Sequence, residues 1–321
     1  MTEVILVSMP WGESSLYALI LAAGCLAAGA GYIFLTGKKG VSFPHAALFC
    51  GLSLFLGLAL GRGVYCAVRF ERLFFDAMGD FAGLQSFFDL SQGGISIVGV
   101  LAGCLIAGPV TARILGGKAA QYLDAAVYPG LFLFILERMI EPLAGRGYGV
   151  MVSGFFAAFP FAMETYIEEY ALAVCWLEGV LGAVLFAALL FLQKKCVRPG
   201  QLFLSALTLL CASQIIPESL RHDDVLFIFI FARVTQIGYA VYLALCLLWA
   251  IASSRKAGLK NTRGIRDFLF LLLGIGVCVG AEFALDKTNL SHFLIYAVML
   301  LTLAGMAAVN LRVIFSRGAN K

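Results

Sequence analysis

Apolar runs about twenty residues long, separated by short polar stretches, recur along the whole 321-residue chain. A hydrocarbon core about 30 Å thick takes roughly 20 residues of helix to cross. Each run therefore predicts one membrane-spanning helix. The runs fall at about 14–36, 45–68, 94–115, 122–140, 168–193, 200–219, 225–252, 267–285 and 290–315. They predict an all-α polytopic membrane helix bundle of about nine transmembrane helices. Polar residues intrude at the ends of the fourth and sixth runs. No basic region precedes the first run and no cleavage site follows it, so 14–36 reads as a retained span rather than a removed signal peptide.

The polar stretches set the orientation, because Lys and Arg concentrate on the cytoplasmic side of spans. Alternate connections and the tail hold Lys38 and Lys39, Arg113 and Lys118, then Lys194, Lys195 and Arg198. Arg255, Lys256, Lys260, Arg263 and Arg266 follow, and finally Arg312, Arg317 and Lys321. The intervening connections are acidic, with Glu71, Asp76, Asp80 and Asp89, then Glu164, Glu168 and Glu169, then Asp223 and Asp224, then Asp286. The alternation predicts an N-terminus outside and a C-terminus inside. Two outer connections are long, 69–93 and 141–167, and carry aromatic stretches at 81–88 and 155–161. Such stretches fit either amphipathic pieces lying in the membrane interface or loops packed on the bundle.

Composition narrows the function classes. The chain is 61% hydrophobic and only 13% charged, against about half and a quarter in soluble domains. A soluble enzyme, a disordered regulator and a nucleic-acid binder are excluded, since no water-soluble fold of this size hides so much apolar surface. The net charge of +4 belongs to the loop pattern and implies no nucleic acid. Nine cysteines sit mostly inside apolar runs without a CxxC pair or Cys/His cluster, which points to no metal and no cofactor. His45, His222 and His292 lie near span ends, where solvated or interfacial roles fit. There is no GxSxG, P-loop or HExxH motif.

The candidate chemistry lies in ionisable residues in and beside the spans, which are costly there and face the bundle interior. Arg62, Arg138, Glu218 and Arg221 fall at outer helix ends and are predicted to share one layer. Glu178 and Arg233 are predicted deeper, as a pair. Arginines at that depth suit a phosphate, which the guanidinium fork binds bidentately, and the nearest phosphate is a phospholipid headgroup. The same residues also suit ion pairs that join helices, as Arg138 and Glu141 do by their i,i+3 spacing. The stretch QGGISIVGVLAG at 92–103 opens the third span. Its Gly93 and Gly94 suit an anion at a helix N-terminus, and Gly99 and Gly103 suit close helix packing.

Taken in order, these segments resemble the prolipoprotein diacylglyceryl transferase family over about residues 14–252. The resemblance rests on GLALGRGVY at 57–65, the glycine-rich run at 92–103 and ERMIEPLAGRGYG at 137–149. It continues through WLEG at 176–179, QIIPESLR at 214–221 and RVTQ at 233–236. It implies a membrane transferase that moves a diacylglyceryl group from phosphatidylglycerol to a cysteine thiol of a lipoprotein precursor. It also implies a bacterial-type cytoplasmic (inner) membrane, with chemistry on the outer side. Arg138 matches the signature arginine, Gly149 a glycine of that loop, Glu218 a carboxylate of the sixth span and Gln236 a polar residue of the seventh.

The implied site has Arg138, Glu141 and Glu218 as catalytic groups. Arg62, Gly93, Gly94, Arg146, Gly149, Gln214, Arg221 and Gln236 bind substrate. The chain departs from the family at four positions. Val98 stands for a histidine, Glu141 for an asparagine, Arg146 for an acidic residue and Gln214 for a second arginine. Residues 1–252 then form the transferase-like membrane domain. Residues 253–321 form a basic cytoplasmic linker and a C-terminal transmembrane helix pair outside the family's seven-span plan. Two further readings stay open: a catalytically degenerate relative that binds lipid or scaffolds a partner, and a small-solute transporter. The latter is disfavoured by the lack of paired broken helices in matching repeats.

Overall fold

The computed structural model describes residues 6–9, 12–38, 40–75, 81, 83–88, 94–166, 169–223, 226, 233–256 and 264–316. A hairpin, β1 (Leu6–Met9) and β2 (Gly12–Ser15), leads into α1 (Leu16–Lys38) and α2 (Phe43–Val68). The short helices α3 (Phe70–Phe74) and α4 (Gln85–Phe88) precede α5 (Ile97–Leu115) and α6 (Ala119–Ile140). Strands β3 (Tyr148–Met151), β4 (Ala162–Tyr166) and β5 (Glu169–Ala173) come next. They are followed by α7 (Val174–Leu192), α8 (Gln201–Leu220), α9 (Val234–Lys256), α10 (Gly264–Lys287) and α11 (His292–Ile314). Among the described residues, nine helices are long and apolar enough to cross a membrane. The protein is an all-α, multi-pass membrane bundle, and each predicted run coincides with one of these helices.

Two predicted boundaries move. The fifth span starts at Val174, not 168, because Glu169–Ala173 is drawn into a sheet. That sheet has the order β3-β5-β4, antiparallel throughout, with Tyr148 opposite Ala173 and Met163 opposite Ala171. The connection expected to hold only amphipathic pieces or loop is thus a folded cap. The seventh span starts at Val234, not 225, and residues 227–232 lie outside the described residues.

Small residues set the tightest helix contact. An added Cβ on Gly99 would stand 2.2 Å from the Leu60 carbonyl oxygen, and one on Gly103 would stand 2.4 Å from the Gly57 nitrogen. Backbone therefore meets backbone between α2 and α5, and the Gly99/Gly103 pair serves packing. The largest buried cluster joins α8, α9, α10 and α11 through Leu207, Leu243, Leu271, Met299 and Leu303. The last two helices thus share a core with the preceding spans.

The end of the bundle that carries Lys38, Arg113 and Lys194 is fastened by helix caps. Asp124 accepts from the Gly200 and Phe203 amides at 2.6 and 2.8 Å, capping α8. Arg198 and Gln201 donate to the Ile314 carbonyl at 2.9 and 2.7 Å, closing α11. The predicted chemistry lies at the opposite end.

Candidate functional site

The C-terminal end of α6 carries Glu137 and Arg138, and a single 3-10 turn, Glu141–Ala144, extends it. Gly145 and Gly147 then turn the chain with φ of +67° and +89°. At Gly147 a Cβ would also press on Cys175 at 2.5 Å, so only glycine fits this turn. The turn feeds β3. Gly149 of β3 pairs with Arg221 as an isolated bridge, and the Tyr148 carbonyl accepts from the His222 amide at 2.9 Å. A Cβ on Gly149 would lie 2.5 Å from the Leu220 carbonyl oxygen. The sheet therefore grips the end of α8 and fixes Arg221.

Arg221 and Arg138 form one buried lattice with four carboxylates. Arg138 faces Glu137 at 3.2 Å, Glu141 at 3.0 Å and Glu178 at 3.4 Å. Arg221 faces Glu141 at 2.5 Å, Glu178 at 2.8 Å and Asp223 at 2.6 Å. Glu178, on the first turn and a half of α7, is 2% exposed and bridges both guanidiniums. Asp223 also accepts from the Gly147 amide at 2.7 Å, which ties the turn to the end of α8. Tyr17 of α1 donates to Glu137 at 3.3 Å. Desolvation alone would lower the Arg221 pKa, but Glu141, Glu178 and Asp223 outweigh it, and the net shift is upward. Arg221 stays charged.

Of the four residues predicted to share a layer, Arg138 and Arg221 meet, joined through Glu141 and Glu178, whereas Arg62 bonds the stretch around α4. Glu178 belongs with them rather than with Arg233. Arg233 precedes α9 and donates to the Glu218 and Arg221 carbonyls. Glu218 is buried one turn before Arg221, with Thr235 as a hydrogen-bond partner.

Arg62 is 3% exposed and donates to the carbonyls of Phe87, Gly94 and Ser86 at 2.9, 3.1 and 2.7 Å. It fastens the stretch around α4. An added Cβ on Gly94 would meet the Arg146 Nη1 at 3.4 Å. Gly93 lies outside the described residues. Arg146 is half-buried, and its guanidinium has no hydrogen bond or ion pair among the described residues.

Gln214 is 1% exposed, and its amide oxygen has no partner among the described residues. Gln236 donates to the Ile215 carbonyl at 3.2 Å and to Glu282 at 2.6 Å. Val98 packs on Gly238, where a Cβ would be 2.3 Å from its methyl. Three contributors went unread as site residues in the sequence: Asp223, Tyr17 and Glu282. The one available signal was Glu282, a carboxylate inside an apolar run. Among the described residues, no group of His, Cys, Asp and Glu is arranged to hold a metal ion.

Two guanidiniums against four carboxylates leave the lattice with excess negative charge. It can accept a proton from a thiol or hydroxyl, and its arginines are already paired. Arg146, beside Gly94, is a cation without a hydrogen bond or ion pair from its guanidinium among the described residues. Neither a protein-family model nor a curated protein matches the sequence.

Proposed function

We propose that the protein is a glycerolipid transferase resembling prolipoprotein diacylglyceryl transferase. It takes the diacylglyceryl group of a phospholipid, phosphatidylglycerol in the first instance, and delivers it to an acceptor nucleophile such as a lipoprotein cysteine thiol. The resemblance implies a bacterial-type cell and its cytoplasmic membrane, and the loop charges favour a site that faces outward. The observation that carries the reading is the buried lattice of Arg138, Glu141, Glu178 and Arg221, built at one end of the bundle from α6, α7 and the end of α8.

In the proposed reaction the acceptor sulfur bonds to the glyceryl carbon as the bond from that carbon to the phosphate oxygen breaks. The thiol proton goes to a lattice carboxylate, since the thiolate is the nucleophile. The glycerol phosphate leaves with the oxygen. Arg146 beside Gly94 is the cation free to hold it, and Arg138 and Arg221 hold Glu141 and Glu178 in place. Phe155, Phe156, Phe159 and Phe161 are all exposed beside the cap, where an acyl interface would cover them.

A second reading has its own support. Both lattice arginines already face carboxylates, and Val98 carries no proton, which favours a lipid-binding or partner-scaffolding relative without chemistry. The test uses purified full-length protein in vesicles containing labelled phosphatidylglycerol, with a signal peptide bearing an acceptor cysteine. Transfer of label to the peptide, lost in Arg138→Ala, supports the transferase. Bound lipid with no transfer overturns it in favour of the second reading.

A further inference from the structure

The last two helices lie outside the resemblance, and α10 carries a carboxylate where an apolar span has no need of one. Glu282 sits more than a turn inside α10, in the run GVCVGAEFALDK. An acidic residue in a span is costly to insert and persists where it faces the bundle interior and has a partner. Glu282 has such partners. Its Oε1 accepts from the Gln236 amide of α9 at 2.6 Å. The same amide nitrogen donates to the Ile215 carbonyl of α8 at 3.2 Å, so Gln236 bridges α10 and α8. The Ser219 hydroxyl of α8 also donates to Glu282, with Arg233 close by. Tyr296 of α11 reaches Ser219 at 3.5 Å.

Ser219 lies between Glu218 and Arg221, and Ile215 is one turn below them. Pro217, between the two, removes one amide from the α8 ladder. The segment that presents Glu218 and Arg221 is thus weakened from within and held from outside by α9 and α10.

We infer that the C-terminal helix pair completes the site: Glu282 is a positioning residue that anchors Gln236 and Ser219 and thereby sets the α8 end carrying Glu218 and Arg221. This rests on the transferase reading for its kinetic consequence, though its structural consequence stands alone. The pair is an integral wall of the polar layer, and removing the Glu282 carboxylate loosens a wall of the site 64 residues along the chain from Glu218.

The test compares full-length Glu282→Ala with Glu282→Gln in lipid vesicles; the glutamine keeps a side-chain oxygen that accepts from Gln236 and Ser219. Asp286→Asn, an exposed neighbour on the same helix, is the control. Amide hydrogen exchange over 214–221 is the first readout. It is expected to rise at least tenfold in Glu282→Ala, to change far less in Glu282→Gln, and to stay unchanged in Asp286→Asn. Transfer is the second. Here kcat falls at least about tenfold in Glu282→Ala with KM within about twofold, because misplacement of about 1 Å can cost on the order of 100-fold, and Glu282→Gln retains most of it. If Glu282→Ala does not fold, Gln236→Leu, which removes the same bridge from α9, takes its place. Unchanged exchange at 214–221, or a rise in Glu282→Gln as large as in the variant without the bridge, overturns the inference. Wild-type protein that transfers nothing overturns the functional reading alone and leaves the exchange result to decide this one.

Discussion

Replacing Arg221 with Met removes five hydrogen bonds to Glu141, Glu178 and Asp223. It also leaves Arg138 as the lattice's one guanidinium against Glu137, Glu141, Glu178 and Asp223. Breaking a buried pair by deleting one partner costs about 3–5 kcal/mol, because the other charge stays buried and uncompensated. Glu178→Gln works in the opposite sense. It removes one of four carboxylates from a lattice that already holds an excess, so its cost is expected below about 1 kcal/mol despite 2% exposure. Added to Arg221→Met, it should recover about 1–3 kcal/mol, a coupling typical of residues in one network. Denaturant unfolding of the purified protein in lipid-detergent micelles gives these numbers, followed by tryptophan fluorescence, one of whose sources, Trp176, is two residues from Glu178. Arg113→Met, exposed at the far end, should stay within about 0.5 kcal/mol. Equal costs for Arg221→Met and Glu178→Gln, or purely additive behaviour in the double variant, would refute the charge-excess reasoning.

Three other outcomes follow from the geometry. Gly149→Ala should destabilise by about 1–3 kcal/mol, because its Cβ meets the Leu220 carbonyl oxygen at 2.5 Å and Val174 Cγ2 at 2.8 Å; thermal unfolding reads this directly. Gly99→Ala should separate α2 from α5 and lower the midpoint in the same assay. Gly29→Ala, with open space around it, should not. Arg146→Ala should leave stability within about 0.5 kcal/mol yet weaken binding of phosphatidylglycerol vesicles severalfold; a large loss of stability would mean that the guanidinium serves the fold instead.

The spans were legible because the bilayer imposes a length and an apolar content that few other structures share. The Arg138–Glu141 contact was legible from spacing alone. The depth of Glu178 was not. Starting the fifth span at 168 puts Glu178 about 15 Å along a helix, and starting it at 174 puts it about 6 Å from the end, level with Arg138. What hid the boundary was β5, five residues whose partners come from β3 and β4. Strands this short, half exposed and interrupted by Glu164 and Thr165, carry no clear alternation. Arg233 was misplaced because a start at 225 buries it in a helix that begins after it. Glu282 was passed over because an otherwise apolar run masks one carboxylate unless its partners are known.

Charge counting separates the two roles an arginine can have at this site. A guanidinium in the lattice is held by carboxylates from three directions, so a phosphate reaching it must displace one of them into a medium that solvates charge poorly. Arg138 and Arg221 are therefore suited to keeping Glu141 and Glu178 aligned. Arg146 meets no such competition among the described residues, lies beside Gly94, and carries its charge in a half-buried setting where a phosphate keeps part of its hydration. On the proposed transferase reading a divided site follows: the anion is met at Arg146 and the proton is taken at the lattice, with the cap strands and the α8 end setting the distance between the two. On this division Arg146→Ala raises KM for the lipid while Glu141→Gln lowers kcat. A common effect of both substitutions on the same constant would show that the anion and the proton share one pocket.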